Sequence, residues 1–143
     1  MSPVFDLAAF FAEYEAAMHA GDAARSRRLY ADTFVASSPA GLIAGRNDDE
    51  FAQTVAQGMG RYAELGMTVM RVERVSASWL GESQCLATVL WHSEWEGAGT
   101  VDFEVSYGLR GLPDEPRIFC WVSHEDEEVV MRERGILPAR QGG

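Results

Sequence analysis

The sequence has little of what would mark a secreted, membrane-bound or nucleic-acid-binding chain. It holds two cysteines in 143 residues, too few for a disulfide framework. Cys85 and Cys120 each fall in a strand-like apolar pattern, where a buried free thiol is the ordinary outcome. No apolar run approaches the roughly 20 residues that a bilayer-spanning helix needs. Met1-Ser2-Pro3-Val4 puts no basic segment ahead of an apolar core, so no secretory signal is expected and the expected compartment is the cytoplasm. Positive charge is scarce, with 12 Lys+Arg against 22 Asp+Glu and a net charge of −10. Such a surface repels phosphate backbones and anionic lipid, so neither nucleic acid nor a membrane is an expected partner. The weak basic cluster Arg25, Arg27 and Arg28 reads as one solvated helical turn. Recognisable catalytic signatures are missing too. There is no Gly-x-Ser-x-Gly elbow, no phosphate-binding glycine loop, no Rossmann fingerprint and no Cys-x-x-Cys pair. Cys85 has no basic sequence neighbour to make it a nucleophile.

What is present is the material of one globular domain. Hydrophobic residues make up 47% and charged residues 24%, ordinary proportions for a soluble core-forming chain, and the length suits a single domain. No internal repeat and no linker divides it, so residues 1–138 read as one domain and 139–143 as a disordered tail. Leu7, Phe10, Phe11, Tyr14 and Met18 recur at helical spacing behind the cap candidate Asp6. Gly21 suits a left-handed helix end, and Asp22 caps a second helix expected to run through Leu29 and Tyr30. Thr33 to Ser38 is a short strand candidate, with Pro39, Gly41 and Gly45 expected in a loop. Asn47, with Glu50 three residues on, is expected to open a third helix whose apolar face is Phe51, Val55, Met59 and Tyr62, ending at Gly66.

After Gly66 the period changes to that of strands, at Met67–Leu80, Gln84–Trp95, Thr100–Arg110 and Arg117–Ser123. Val101, Phe103, Val105, Tyr107 and Leu109 alternate with Asp102, Glu104, Ser106 and Gly108, the pattern of an antiparallel sheet with one covered face. A closing helix is expected over about His124 to Arg134, with an acidic first turn and Gly135 as its stop. The predicted fold class is therefore α+β. A curved antiparallel sheet wraps around N-terminal helices to form a cone, whose interior is the natural pocket.

The element order and several stretches resemble the nuclear transport factor 2-like superfamily. The stretches are Phe10 to Asp22, Leu29-Tyr30-Ala31-Asp32, the Pro39-to-Gly45 loop, and Arg117 to His124 as a closing strand. The resemblance covers about residues 5 to 125. It implies the cone fold and homodimerisation through the sheet. It leaves activity open, because the superfamily holds ketosteroid isomerases, SnoaL-type polyketide cyclases, dehydratases, epoxide hydrolases and non-catalytic binding domains. The isomerases place an enolate-stabilising tyrosine where Tyr14 stands, seven residues before Gly21. Their base is an aspartate before the proline that follows the first strand, and here that residue is Ser38. A serine has no useful basicity at neutral pH. The position of their second acid falls at Ser106, or by the face pattern at Val105 or Tyr107, and none is a carboxylate. Steroid isomerase chemistry by that route is disfavoured.

The candidate pocket residues are Tyr14, Phe34, Ser38, Trp91, Tyr107 and Trp121. An aromatic wall of this kind suits a small, apolar or planar ligand, and equally suits a filled core. The candidate proton-moving residues are Tyr14, His92 and His124. His92 and Glu94 share a strand face and read as a base with its carboxylate or as surface pairing. His124-Glu125-Asp126 reads as a dyad or as helix capping. No metal site with recognisable spacing is present, and no cofactor is expected. Three readings stay open: a small-molecule binder, a cofactor-independent isomerase, cyclase or dehydratase, and a non-catalytic dimerisation module.

Overall fold

A computed structural model of the chain describes residues 5–138. The tail expected at 139–143 lies outside the described residues. The chain opens with α1 (Leu7–Ala20) and α2 (Ala23–Arg27), which meet at a tight corner. Asp6 caps α1 by accepting from the Ala9 N–H, and Asp22 caps α2 by accepting from the Arg25 N–H. Gly21 between them has φ +63°, the left-handed setting that a side chain resists.

The strands β1 (Tyr30–Ser38) and β2 (Gly41–Arg46) follow as a hairpin, then α3 (Asp49–Glu64). Three expectations are corrected here. The second helix stops at Arg27 instead of running through Tyr30. The Leu29 carbonyl accepts from the Ile118 N–H at 2.8 Å, and the Tyr30 ring packs into the core. Sheet pairing and burial outweigh local helix preference there. The stretch expected as a loop forms β2, because Ser38 pairs with Gly41 across the two-residue turn Pro39-Ala40. Asp48, not Asn47, caps α3. The Asn47 amide is spent elsewhere, donating to the carbonyls of Arg27 and Tyr30 at 2.7 and 3.1 Å.

The long strands β3 (Met67–Trp79), β4 (Gln84–Trp95), β5 (Gly99–Arg110) and β6 (Arg117–Ser123) form the expected meander. The closing helix α4 (Glu127–Glu133) starts later than expected, because Asp126 accepts from the Glu128 and Val129 N–H groups and sets its first turn. The six strands form one sheet in the order β2-β1-β6-β5-β4-β3. Neighbours are antiparallel except β1 and β6, which run parallel. The result is the predicted α+β cone, a curved open sheet with helices against one face.

The inward face is unambiguous along β4. Cys85, Ala87, Val89, Trp91, Ser93 and Trp95 are all buried, and the residues between them are not. Alternate positions of a strand face opposite sides, so His92 and Glu94 lie on the outer face of the sheet. Two side chains of α1 tie it to β3. Glu15 accepts from the Val72 N–H at 2.6 Å where the β3–β4 register shifts, and the His19 ring meets the Met70 carbonyl at 2.5 Å. Among the described residues no helix is long and apolar enough to cross a membrane.

Candidate functional site

Two features stand out, one in the core and one open to the surface. The first is a cluster of buried phenols. Tyr14 on α1 shares a 2.6 Å hydrogen bond with Tyr30 on β1. Tyr107 on β5 packs against the Tyr14 ring, and its hydroxyl accepts from the Trp91 indole N–H at 3.0 Å. The rings stack around Tyr14 at centroid distances of 6.1 Å to Tyr30, 5.6 Å to Tyr107 and 5.7 Å to Trp91. Burial pushes the Tyr14 phenol up, and pushes Tyr30 and Tyr107 well up. All three are neutral donors at physiological pH. Beside them the Tyr62 hydroxyl of α3 donates to Glu127 of α4 at 2.8 Å, and burial raises both groups.

The second feature is an open groove of about 1290 Å³ beside the sheet's β1–β6 seam. Along that seam Tyr30 pairs with Ile118 but Val35 pairs with Cys120, so β1 carries three more residues than β6 across this irregularity. The aromatic part of the groove is Tyr30, Phe34, Phe51 and Trp121. Phe34 lies 4.6 Å from Phe51 and 5.0 Å from Trp121, and Tyr30 lies 5.0 Å from Phe51. Gly45 allows this arrangement, since a Cβ there would come within 2.5 Å of the Phe34 ring. Asp48 and Glu50, at the start of α3, line one part of the groove, and Gln84, Arg110 and Arg117 line another.

The structure brings the sequence candidates together only in part. Phe34 and Trp121 line the groove. Tyr14, Trp91 and Tyr107 belong to the buried phenol cluster and are not among the groove's lining residues. Ser38 ends β1, and its hydroxyl accepts from the Ala40 N–H at 3.1 Å in the hairpin turn. Tyr30, Phe51, Arg110 and Arg117 are groove residues that sequence reasoning missed. Tyr30 was hidden by its assignment to a helix, and Phe51 by its place in a helical apolar stripe. The arginines sit at strand ends, where a charge is unremarkable.

Both histidines stand on the far side of the sheet from Tyr14. His92 lies between Asp102, 2.8 Å from Nδ1, and Glu94, 3.2 Å from Nε2. The hydrogen bond to Asp102 raises its pKa most, with help from Glu94 and against partial desolvation and Arg71. His124 Nε2 meets Ser106 Oγ at 2.7 Å, and its Nδ1 lies 3.6 Å from Glu104. That is the order of nucleophile, base and carboxylate. However, Ser106 is paired on both sides, with Thr88 and with Val122. Its strand backbone is committed to the sheet and offers no oxyanion hole. Among the described residues no three His, Cys, Asp or Glu side chains gather into a metal-binding group.

A protein-family model described as NTF2-like protein (DUF6841) matches residues 6–126. A comparison with curated proteins finds no match. Among solved structures, an NTF2-like protein of unknown function from Shewanella oneidensis is 13% identical, with a TM-score of 0.63 over 83% of this chain and 96% of its own. A protein from Shewanella frigidimarina, provisionally assigned as a ketosteroid isomerase, is 16% identical, with a TM-score of 0.62 over 80% of this chain and 91% of its own. An NTF2-like protein of unknown function from Pseudomonas putida is 15% identical, with a TM-score of 0.65 over 82% of each chain. At these identities the likeness is one of fold.

Proposed function

The chain belongs to this NTF2-like family, and from that premise we propose that it binds a small, largely apolar or planar molecule in the groove beside the β1–β6 seam. One observation carries the reading. Five aromatic side chains, Tyr30, Phe34, Phe51, Phe119 and Trp121, line a groove of about 1290 Å³. The volume is above the usual range for ligand pockets, so one ligand fills part of it. An isomerase, cyclase or dehydratase acting through Tyr14 has less support. The Tyr14 hydroxyl is held by Tyr30, the hydroxyl of Ser38 is held by the hairpin turn, and both candidate histidines face away.

The test is a thermal-shift screen with planar polycyclic ketones, steroids, polyketides and terpenoids. A ligand at 100 times its Kd adds about 2.7 kcal/mol of stability. Ile43 lines the groove and is 68% exposed, so Ile43→Glu leaves the core alone while placing a charge at the groove. A hit that Ile43→Glu weakens supports the reading. A panel without a hit sinks it.

A second reading concerns assembly. The outer sheet face carries Val35, Leu86 and Val122, each about two-fifths exposed. We propose that two copies pair through this face. Sedimentation equilibrium would show a dimer that Leu86→Glu dissociates; a monomer at micromolar concentration refutes it. A reducing compartment such as the cytoplasm suits the two free thiols.

A further inference from the structure

The groove has a second chemistry that the apolar reading leaves unused. Arg110 on β5 and Arg117 on β6 are direct register partners, and Gln84 on β4 is the partner of Arg110 on its other side. All three line the groove. They make one row of donors across three strands. Like charges set directly opposite on neighbouring strands destabilise a sheet, so two facing guanidinium groups call for an anion. The protein supplies little. Glu115 reaches Arg117 at 3.4 Å, and its side chain is 78% exposed, the geometry of a weak surface pair. Arg110 makes no ion pair among the described residues.

The row adjoins apolar surface. The register shift between Gly108 and Leu109 places Phe119 and Cys120 together against Gly108, where a Cβ would meet both side chains. Phe119 lines the groove, as do Phe34 and Trp121. The remaining charges set the valence of the ligand. Asp32, Asp48 and Glu50 also line the groove, and they disfavour a head group of several negative charges. The chain has no lysine, and all 12 of its Lys+Arg residues are arginines, whose planar fork matches the two oxygens of a carboxylate.

We propose that Gln84, Arg110 and Arg117 form a carboxylate subsite, and that the natural ligand is a monocarboxylate with an apolar, planar body. The inference rests on the groove-binding reading and sharpens it. The ligand carboxylate takes the place that Glu115 now visits. Its body lies over Phe119, whose ring sits against Gly108 on the same sheet face as Arg110.

The experiment is calorimetric titration with anthracene-2-carboxylate and its methyl ester, which share a planar body and differ in the head. Arg110→Gln and Arg117→Gln are measured singly and together, because each is a surface change that the fold should accept. The expected result is at least tenfold tighter binding of the acid than of the ester by the native protein. The double variant should lose that difference while binding the ester as before. Without ligand, Arg110→Gln should melt no lower than the native protein, because it relieves the facing charges. Equal binding of acid and ester overturns the subsite and leaves the groove reading standing. Binding of neither overturns both. Tighter binding of the acid that persists in the double variant places the carboxylate elsewhere and also overturns the subsite.

Discussion

Replacing Tyr14 by phenylalanine tests whether its hydroxyl is a structural hub. The change removes one oxygen and keeps the ring among Tyr30, Trp91 and Tyr107. The Tyr30 hydroxyl then loses its one hydrogen-bond partner among the described residues, while Tyr107 keeps the Trp91 N–H. A buried polar group left unpaired costs about 1–3 kcal/mol. For a domain of this size, each kcal/mol moves Tm by about 3–4 °C. Tyr14→Phe should therefore lower Tm by roughly 3–12 °C. Calorimetry or circular dichroism melting reads this directly. The double variant Tyr14→Phe/Tyr30→Phe should lose less than the sum of the single losses, because removing both partners leaves nothing unpaired between them. Stabilisation of the native protein by a groove ligand should persist in Tyr14→Phe, since Tyr14 does not line the groove. A Tyr14→Phe protein that melts with the native one, or a double variant whose losses simply add, refutes the hub. Loss of ligand binding without loss of stability would make Tyr14 a binding residue instead.

Three further outcomes follow from the same geometry. Gly45→Ala should destabilise by about 1–3 kcal/mol in a denaturant titration, the usual cost of overpacking, because the new methyl group meets a Phe34 ring already held by Tyr30, Phe51 and Trp121; it should also weaken any groove ligand. His92 has a raised pKa from Asp102 and Glu94, so its contribution is fully present below its unfolded value of about 6.5 and is lost as pH rises through the higher folded value; native stability should fall across that window relative to His92→Gln, and parallel pH profiles would contradict it. Ellman's reagent should find one accessible thiol in the native protein, the half-buried Cys120, while the buried Cys85, whose pKa burial raises, should react only on unfolding.

The elements were legible wherever one local signal sufficed. The alternation from Val101 to Leu109 gave β5 and its buried face, and Asp6, Gly21 and Asp22 marked the helix corner. Misreadings arose where distant partners decide. Tyr30 left the helix because Leu29 meets Ile118, which stands far along the chain. The strand β2, with little but Leu42 and Ile43 to suggest it, exists because β1 pairs with it. The inward face of β4 was ambiguous because Trp91 and Trp95 alternate with Leu86 and Leu90, and only the packed helices settle which face is covered. The candidate site was legible by residue type and not by neighbourhood. Which aromatic rings line the groove depends on the register shift between β1 and β6, and no local pattern encodes that shift.

The parallel seam between β1 and β6 also orders events during synthesis. The chain emerges from its N-terminus, and the hairpin of β1 and β2 can close on itself early. Its other edge must wait for the strand Arg117–Ser123. At about 5–20 residues per second, the stretch separating Ser38 from Val122 takes roughly 4–17 s to make. Throughout that interval β1 presents unpaired backbone groups and the ring of Phe34 to whatever strand edge it meets first. The last strand of the meander is thus also the piece that withdraws the first strand from unwanted partners, and a chain truncated before Arg117 should aggregate even though most of its residues are already present.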